Sequence, residues 1–160
     1  MNFEQTLGMR LRGAYLTLHR CLNLQMGQAG LTADQFVVLS LLAREEGLTQ
    51  GDIARRCASD ASTVGALLRL LEKQKLISRE RHSQDGRALS IRMTARGRRV
   101  QKQAWEVSRD FQRSLGNTLR TAQEQEVVLA ALDRIRATMT GHMAALAGAA
   151  ALDVRKAGVL

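Results

Sequence analysis

The stretch LTQGDIARRCASDASTVGALLRLLEK, residues 48–73, decides the fold of this chain. Thr49 stands three residues before Asp52, and Asp60 precedes a second apolar run, so Thr49 and Asp60 each mark the start of a helix. The turn Ala58-Ser59-Asp60 between these helices is short and tight. The spacing therefore predicts a helix-turn-helix, with these residues facing inward on its second helix: Val64, Leu67, Leu68 and Leu71.

The opposite face of the second helix carries small and basic side chains. Small residues allow a close approach to base edges in the major groove, and hydroxyls and cations bind phosphates. We therefore expect this face to contact DNA. Its predicted contacts are Ser62, Thr63, Ala66, Arg69 and Lys73, and Gly65 is expected on the same outward stripe.

Downstream of the second helix, the sequence predicts a basic hairpin. Apolar and polar residues alternate in LSIRM (89–93), which indicates a strand, and ISRER (77–81) indicates a weaker partner strand. The polar segment HSQDGR (82–87) holds the glycine that a turn needs. We expect this hairpin to reach a minor groove through its arginines and Asp85 to orient one of them. The predicted contacts are Arg79, Arg81, Asp85 and Arg87.

Helical spacing on both sides completes an α-α-α-α-β-β-α-α order, an α+β fold that is mainly helical. We expect one domain over 1–160, in which 31–97 form the winged helix-turn-helix lobe. Long flanking helices are expected over 3–27 and 98–147, and the Ala- and Gly-rich residues 148–160 are expected to form a flexible tail.

Capping residues mark the ends of the predicted helices. Thr32, Thr49 and Thr121 each precede an acidic or amide residue by three positions, which predicts a capping box at each. Thr94 is a simpler cap. Gly47 is expected to close the second helix of the chain.

The composition indicates a polyanionic partner. The 24 Lys and Arg against 15 Asp and Glu give a net charge of +9 and a pI of about 10.9. Such an excess favours nucleic acid or an anionic membrane surface. The sequence shows no secretory signal and no apolar run long enough to span a bilayer, and its two cysteines make no disulfide framework. We therefore expect a cytoplasmic, nucleoid-associated protein without a membrane partner.

Three segments of the chain carry a family resemblance: GLTADQF (30–36), LTQGDIA (48–54) and LLEKQKLISR (70–79). They resemble the MarR family of winged helix-turn-helix transcriptional regulators. A further match, to that family's wing signature, is Asp85-Gly-Arg87 followed by Met93-Thr94 and Gly97.

The resemblance implies a homodimer, joined by the helices of 3–27 and 98–147, that reads a palindromic operator in double-stranded DNA. It implies a repressor that is released by a small ligand, often phenolic or anionic. It also makes Arg87 the wing-tip arginine, with Asp85 as its orienting partner. One departure is visible: Gly65-Ala66 stands where many relatives carry a Thr-Arg pair, so a common base-reading arginine is missing.

Arg12, Tyr15 and His19 share one stripe of the first helix and are candidate ligand-binding residues, although ordinary packing explains them equally well. Two alternative functions stay open. One is a thiol-based oxidative-stress sensor, with Cys21 beside Arg20 as the candidate thiol and Cys57 as packing. The other is a winged-helix module that binds protein. We expect no metal site, cofactor or catalytic centre.

Overall fold

The computed structural model describes residues 2–81 and 89–157. A short 3-10 helix, Phe3–Gln5, precedes the first long helix. The helices are α1 (Leu7–Gly27), α2 (Ala33–Arg44), α3 (Gln50–Arg56), α4 (Ala61–Lys73), α5 (Ala95–Asn117) and α6 (Ala122–Ala157). The strands are β1 (Leu48–Thr49), β2 (Ile77–Arg81) and β3 (Leu89–Met93).

The predicted fold class is confirmed, with one addition. The sheet is antiparallel and three-stranded, in the order β1-β3-β2, because β1 adds to the predicted hairpin. In this sheet Leu48 lies opposite Ile91, and Arg79 lies opposite Ile91 from the other side. A strand of two residues is too short to show alternation, which is why the sequence pattern missed it.

The helix starts follow the predicted caps. Thr32 Oγ1 accepts from Gln35 N (3.2 Å), and Gln35 Oε1 accepts from Thr32 N (2.9 Å), so this capping box is complete. The box of Thr49 with Asp52 is complete as well. Thr121 caps α6, but the Glu124 carboxylate accepts from Arg120 N rather than closing the box.

Two helix ends differ from the sequence-based prediction. Gly47 has a positive φ of 80°, but α2 already ends at Arg44. Gly47 instead donates its N–H to Ile91 O (3.1 Å), which joins it to the sheet. At the other end of the chain, α6 continues to Ala157, whereas the sequence predicted helix only as far as residue 147.

The chain divides into two compact units, Met1–Gln112 and Arg113–Leu160. The first unit has a closed apolar core. Its largest fully buried apolar side chains are Met26, Leu39, Leu42, Ile53, Leu68, Leu71 and Ile91. In the second unit, none of the described side chains, 113–149, is buried.

A backbone contact at Gly97 fixes where α5 begins. A Cβ built on Gly97 would lie 2.0 Å from Leu76 O, so only glycine fits there. Thr94 secures the same contact, since its N–H donates to Leu76 O (3.0 Å) and its hydroxyl to Lys75 O (2.8 Å). The first turn of α5 is thus held directly against the turn that joins α4 to β2, which sets the base of the hairpin.

Candidate nucleic-acid interface

The turn between α3 and α4 is closed by backbone hydrogen bonds. Ser59 N donates to Ala54 O (3.0 Å) and Ala58 N donates to Arg55 O (3.3 Å), the pattern of a Schellman motif. Ala58 takes the left-handed conformation that usually holds glycine, with φ of 50°. This tight end of α3 positions the start of α4 only a few residues later, as the sequence predicted.

Asp60 organises the first turn of α4. One carboxylate oxygen accepts from Thr63 N (2.8 Å) and from the Ser62 hydroxyl (2.6 Å), and the other accepts from the Thr63 hydroxyl (2.7 Å). The hydroxyl of Ser62, then the N–H and hydroxyl of Thr63, hold the pKa of this carboxyl far below its usual range. The two hydroxyls therefore direct their protons to Asp60 and leave oxygen lone pairs toward solvent.

The outward face of α4 carries all the contacts predicted on that helix. Ser62, Thr63, Ala66, Arg69 and Lys73 are all exposed. Neither Arg69 nor Lys73 lies within ion-pair distance of an acidic group among the described residues. Both positive charges are thus available to an anionic partner.

In the strands of the hairpin, unlike on α4, Arg79 and Arg92 are ion-paired. Arg79 Nε lies 3.0 Å from Glu72 Oε2, and the Arg79 side chain is only 21% exposed. Arg92 lies between Glu46 (3.2 Å) and Glu80 (3.1 Å). Arg79, predicted to contact DNA, is therefore ion-paired and largely buried within the protein. Arg81 lies in β2, but its side chain, like all of Asp85 and Arg87, lies outside the described residues.

A cavity of about 560 Å³ lies behind the helix-turn-helix. Its wall includes Tyr15 and His19, two of the three candidate ligand-binding residues, whereas Arg12 does not line it. The turn residues Cys57, Ala58 and Ser59 form another part of the wall. The α4 residues that complete this side are Thr63, Val64, Leu67 and Leu70. Cavities of this size hold small organic ligands.

The polar edge of the cavity is a chain of hydrogen bonds between α1 and α2. Ala33 N donates to Asn23 Oδ1 (2.7 Å), which turns the Asn23 amide nitrogen toward His19 Nδ1 (3.3 Å). That nitrogen of His19 therefore accepts, and Nε2 carries the proton that faces Asp34 Oδ1 (3.3 Å). The side chain of Asp34, beside the start of α2, thereby reaches the cavity edge. Asn23 and Asp34 were not among the predicted site residues.

The two thiols occupy different environments. Cys21 is exposed, and Cys57 is half-buried in the cavity wall. Burial, and secondly the charge of Asp34, raises the pKa of the Cys57 thiol, so Cys57 stays protonated and weakly nucleophilic. This argues against a sensor based on Cys57. Within the described part of the chain, no group of His, Cys, Asp and Glu side chains could hold a metal ion.

Comparison with known proteins agrees with this architecture. Residues 29–88 match a family model described as "MarR family". Over this segment the chain is similar to the MarR family. The matched segment begins just before α2 and includes the helix-turn-helix and the first strand of the hairpin.

Individual proteins that this chain resembles are named as transcriptional regulators. An HTH-type transcriptional repressor of Mycobacterium tuberculosis is 35% identical over 80 residues, 50% of this chain and 58% of the relative. The chain thus matches less than two thirds of that relative's length. A probable transcriptional regulator from Pseudomonas aeruginosa superposes with a TM-score of 0.74 at 28% identity, covering 84% of this chain and 99% of that chain. The Staphylococcus aureus MepR–DNA complex gives 0.77 at 26% identity, covering 86% and 99%.

The departure of this chain from the MarR pattern at Gly65 has a structural reason. Gly65 is buried rather than outward, because the Gln50 side chain of α3 lies across it. Gln50 Nε2 donates to Ala61 O (2.8 Å), and a Cβ on Gly65 would come within 2.9 Å of that nitrogen. The Gln50 side chain thus occupies the space that a larger side chain at position 65 would need. The helical period alone had placed Gly65 on the exposed stripe.

Among the described residues, no helix is long and apolar enough to cross a membrane.

Proposed function

We propose that this chain is a sequence-specific double-stranded DNA-binding regulator of transcription, which acts as a homodimer on a palindromic operator. We further propose that it is a repressor released by a small ligand. The observation that carries the proposal is the outward face of α4, where small side chains at the start of the helix are followed by two cations that have no acidic partner among the described residues.

The predicted roles follow from this arrangement. Ser62, in the first turn of α4, and Ala66, in its middle, would allow the helix to approach base edges, while Arg69 and Lys73 would neutralise phosphates. The hairpin, including Arg81, Asp85 and Arg87, would supply the wing contact to a minor groove. Arg79 is assigned a supporting role, because its ion pair with Glu72 ties β2 to α4. The names of the relatives and the DNA complex of MepR support this assignment.

A second copy of the chain is proposed because the C-terminal unit leaves its apolar residues exposed. Leu132, Met139, Met143 and Leu146 recur at helical spacing on α6 and are 44–70% exposed. Burying such a stripe against another copy would stabilise both. In the proposed domain organisation, residues 31–97 form the DNA-binding lobe and the helices of 3–27 and 98–147 form the dimerisation region.

The cavity provides a route for ligand control. Thr63 belongs both to the cavity wall and to the outward start of α4, and the turn before α4 lines the same cavity. A ligand that occupies the cavity would therefore contact α4, the helix proposed to read DNA. We assign Tyr15 and His19 to this ligand site, and we leave Arg12 outside it.

The test is selection of genomic fragments that the protein retains, followed by binding titrations of the selected duplex at several salt concentrations. We expect two half-sites about 34–36 Å apart and an affinity that falls steeply with salt. Arg69→Ala should weaken binding by roughly 1–3 kcal/mol if Arg69 reads a base, or reduce the salt slope by about one if it contacts a phosphate.

Arg109→Ala is the matched control, because it removes the same charge from α5, where Arg109 is paired with Glu106 (2.9 Å). It should leave operator binding nearly unchanged. Equal losses in the two variants would mean that net charge alone drives binding. If no duplex is retained above random sequence, the proposal is wrong and the protein-interaction alternative takes its place. A screen of small aromatic compounds for release of the operator tests the ligand step.

A further inference from the structure

The cavity behind the helix-turn-helix is negatively charged. Among the described residues that line it, Asp34 is the one acidic side chain, and none is Lys or Arg. The remaining wall is mostly apolar. This is unexpected in a chain with a net charge of +9, because cations are abundant elsewhere on the surface. A ligand that enters this cavity meets a carboxylate without meeting a compensating cation.

The neighbouring histidine meets Asp34 as a hydrogen-bond donor. Asn23 is oriented by Ala33 N, so its amide group donates to His19 Nδ1, and His19 Nε2 donates to Asp34 Oδ1 (3.3 Å). In the described part of the chain, Asp34 Oδ2 has no hydrogen-bond donor. One carboxylate oxygen is thus free to accept from a bound molecule.

The aromatic rings of Tyr15 and His19 line the same cavity. The rings of Tyr15 and His19 are 5.7 Å apart between centroids and tilted by 35°. Tyr15 is 59% exposed, so one part of its ring is open to a ligand. The face of a tyrosine ring attracts cations through its quadrupole. Leu22, Val38 and Val64 also line the cavity and supply apolar surface for a planar body.

The charge of Asp34 acts on the turn of the helix-turn-helix. Beyond the effect of burial, its carboxylate contributes to the raised pKa of the Cys57 thiol, which also lines the cavity. The same carboxylate would favour a cation in the cavity over an anion.

We propose that this cavity selects a cationic aromatic ligand, with the Asp34 carboxylate as its counter-ion and the Tyr15 ring against its aromatic body. The inference rests on the proposed function, because it assigns a chemical class to the ligand that would release the operator. It departs from the phenolic or anionic ligand that family resemblance implies.

The experiment titrates the full chain, without DNA, with three fluorescent probes of one shape and different charge: N-methylacridinium, acridine at a pH where it is uncharged, and acridine carboxylate. We expect N-methylacridinium to bind tightest and the carboxylate weakest. In Asp34→Asn, which keeps the side-chain shape, the affinity for N-methylacridinium should fall about fivefold, the upper range for a solvent-exposed ion pair, while neutral acridine should bind as before.

Glu45→Gln is the matched control. Glu45 lies just after the other end of α2, outside the cavity wall, and is paired with Arg56 (2.7 Å). This substitution changes net charge equally and should leave all three affinities unchanged. If both variants lost affinity for N-methylacridinium equally, net charge alone would explain the effect, and the assignment of Asp34 would be overturned.

The inference is also overturned if the carboxylate probe binds tightest, or if none of the probes binds the folded protein. These titrations are independent of the operator. Loss of DNA binding with intact cation selectivity would contradict the proposed function alone. Intact DNA binding without cation selectivity would contradict only the inference about the ligand.

Discussion

The two units of the chain use their apolar residues in opposite ways. In Met1–Gln112, leucines and isoleucines at helical and strand spacing close into a core, and the largest of them are below 2% exposed. In Arg113–Leu160, an equally regular spacing leaves Met143 70% exposed and Leu146 59% exposed. The same periodicity therefore indicates a self-contained core in one unit and an uncovered apolar face in the other. Periodicity predicts which face is apolar, and the neighbouring elements determine whether that face is covered within one chain.

The largest expected effect contrasts one glycine from each unit. Gly97→Ala places a Cβ against Leu76 O, a backbone atom that cannot move aside cheaply, and should lower the free energy of unfolding by about 3 kcal/mol or more. Gly141→Ala on α6 meets nothing within 4 Å and should instead raise helix stability by about 1 kcal/mol. Urea unfolding of both variants makes the measurement. A Gly97→Ala protein as stable as wild type would contradict the described packing of α5.

The second prediction asks whether the exposed stripe of α6 joins two copies. Met139→Glu should raise the dissociation constant of the dimer at least tenfold, because burial of a methionine side chain is worth about 1.5–3 kcal/mol and each dimer has two such sites. Sedimentation equilibrium measures the change. Ala137→Glu, at an exposed position on the opposite side of α6, is the control and should leave association unchanged. A stable monomer of the wild-type chain would show that the stripe has another partner.

The third prediction concerns the first unit alone, through the cap of α4. Because hydrogen bonds from Ser62 and Thr63 lower the pKa of the Asp60 carboxyl, its ionised form stabilises the folded state. This stabilisation is complete above the ordinary aspartate pKa of about 3.8 and is lost as the pH falls below it. Asp60→Asn should therefore lower the melting temperature at neutral pH, and the two proteins should converge at strongly acidic pH. A constant difference at all pH values would contradict the role of the charge.

The smallest effect is expected at the turn of the helix-turn-helix. Ala58→Gly relieves the left-handed conformation at φ of 50° but adds freedom to the unfolded chain, so a net gain of about 0.5 kcal/mol is expected. Ala66→Gly, in the exposed middle of α4, should lose about 1 kcal/mol instead. Thermal unfolding shows whether each variant is more or less stable than the wild type. If both substitutions destabilise equally, the conformation of Ala58 carries no strain.

Local signals in the sequence were sufficient for much of the fold. Thr32, Thr49 and Asp60 mark helix starts through contacts within a few residues, so a cap is visible in the sequence itself. Strand β1 was missed because its pairing with Ile91 depends on a residue far along the chain. The candidate site divides in the same way: the stripe of Ser62, Ala66 and Arg69 follows from helical period.

The ion pair of Arg79 with Glu72 and the burial of Gly65 under Gln50 depend instead on how elements pack, which spacing along one element does not specify. For the same reason, Asp34 could not be assigned to the cavity from the sequence. Its role there arises only when α1 and α2 bring His19 and Asn23 beside it.

The packing of Gln50 over Gly65 has a consequence for altering the DNA specificity that we propose for this chain. A graft of the Thr-Arg pair common in relatives onto positions 65–66 would bring a threonine Cβ within 2.9 Å of the Gln50 amide. Gln50 would have to swing away and give up its bond to Ala61 O, which loosens the leading turn of the grafted helix. Exchange of DNA specificity between this chain and such relatives is therefore a coupled change of two helices. A library of variants in α4 alone would therefore miss functional sequences that also need a different residue at position 50.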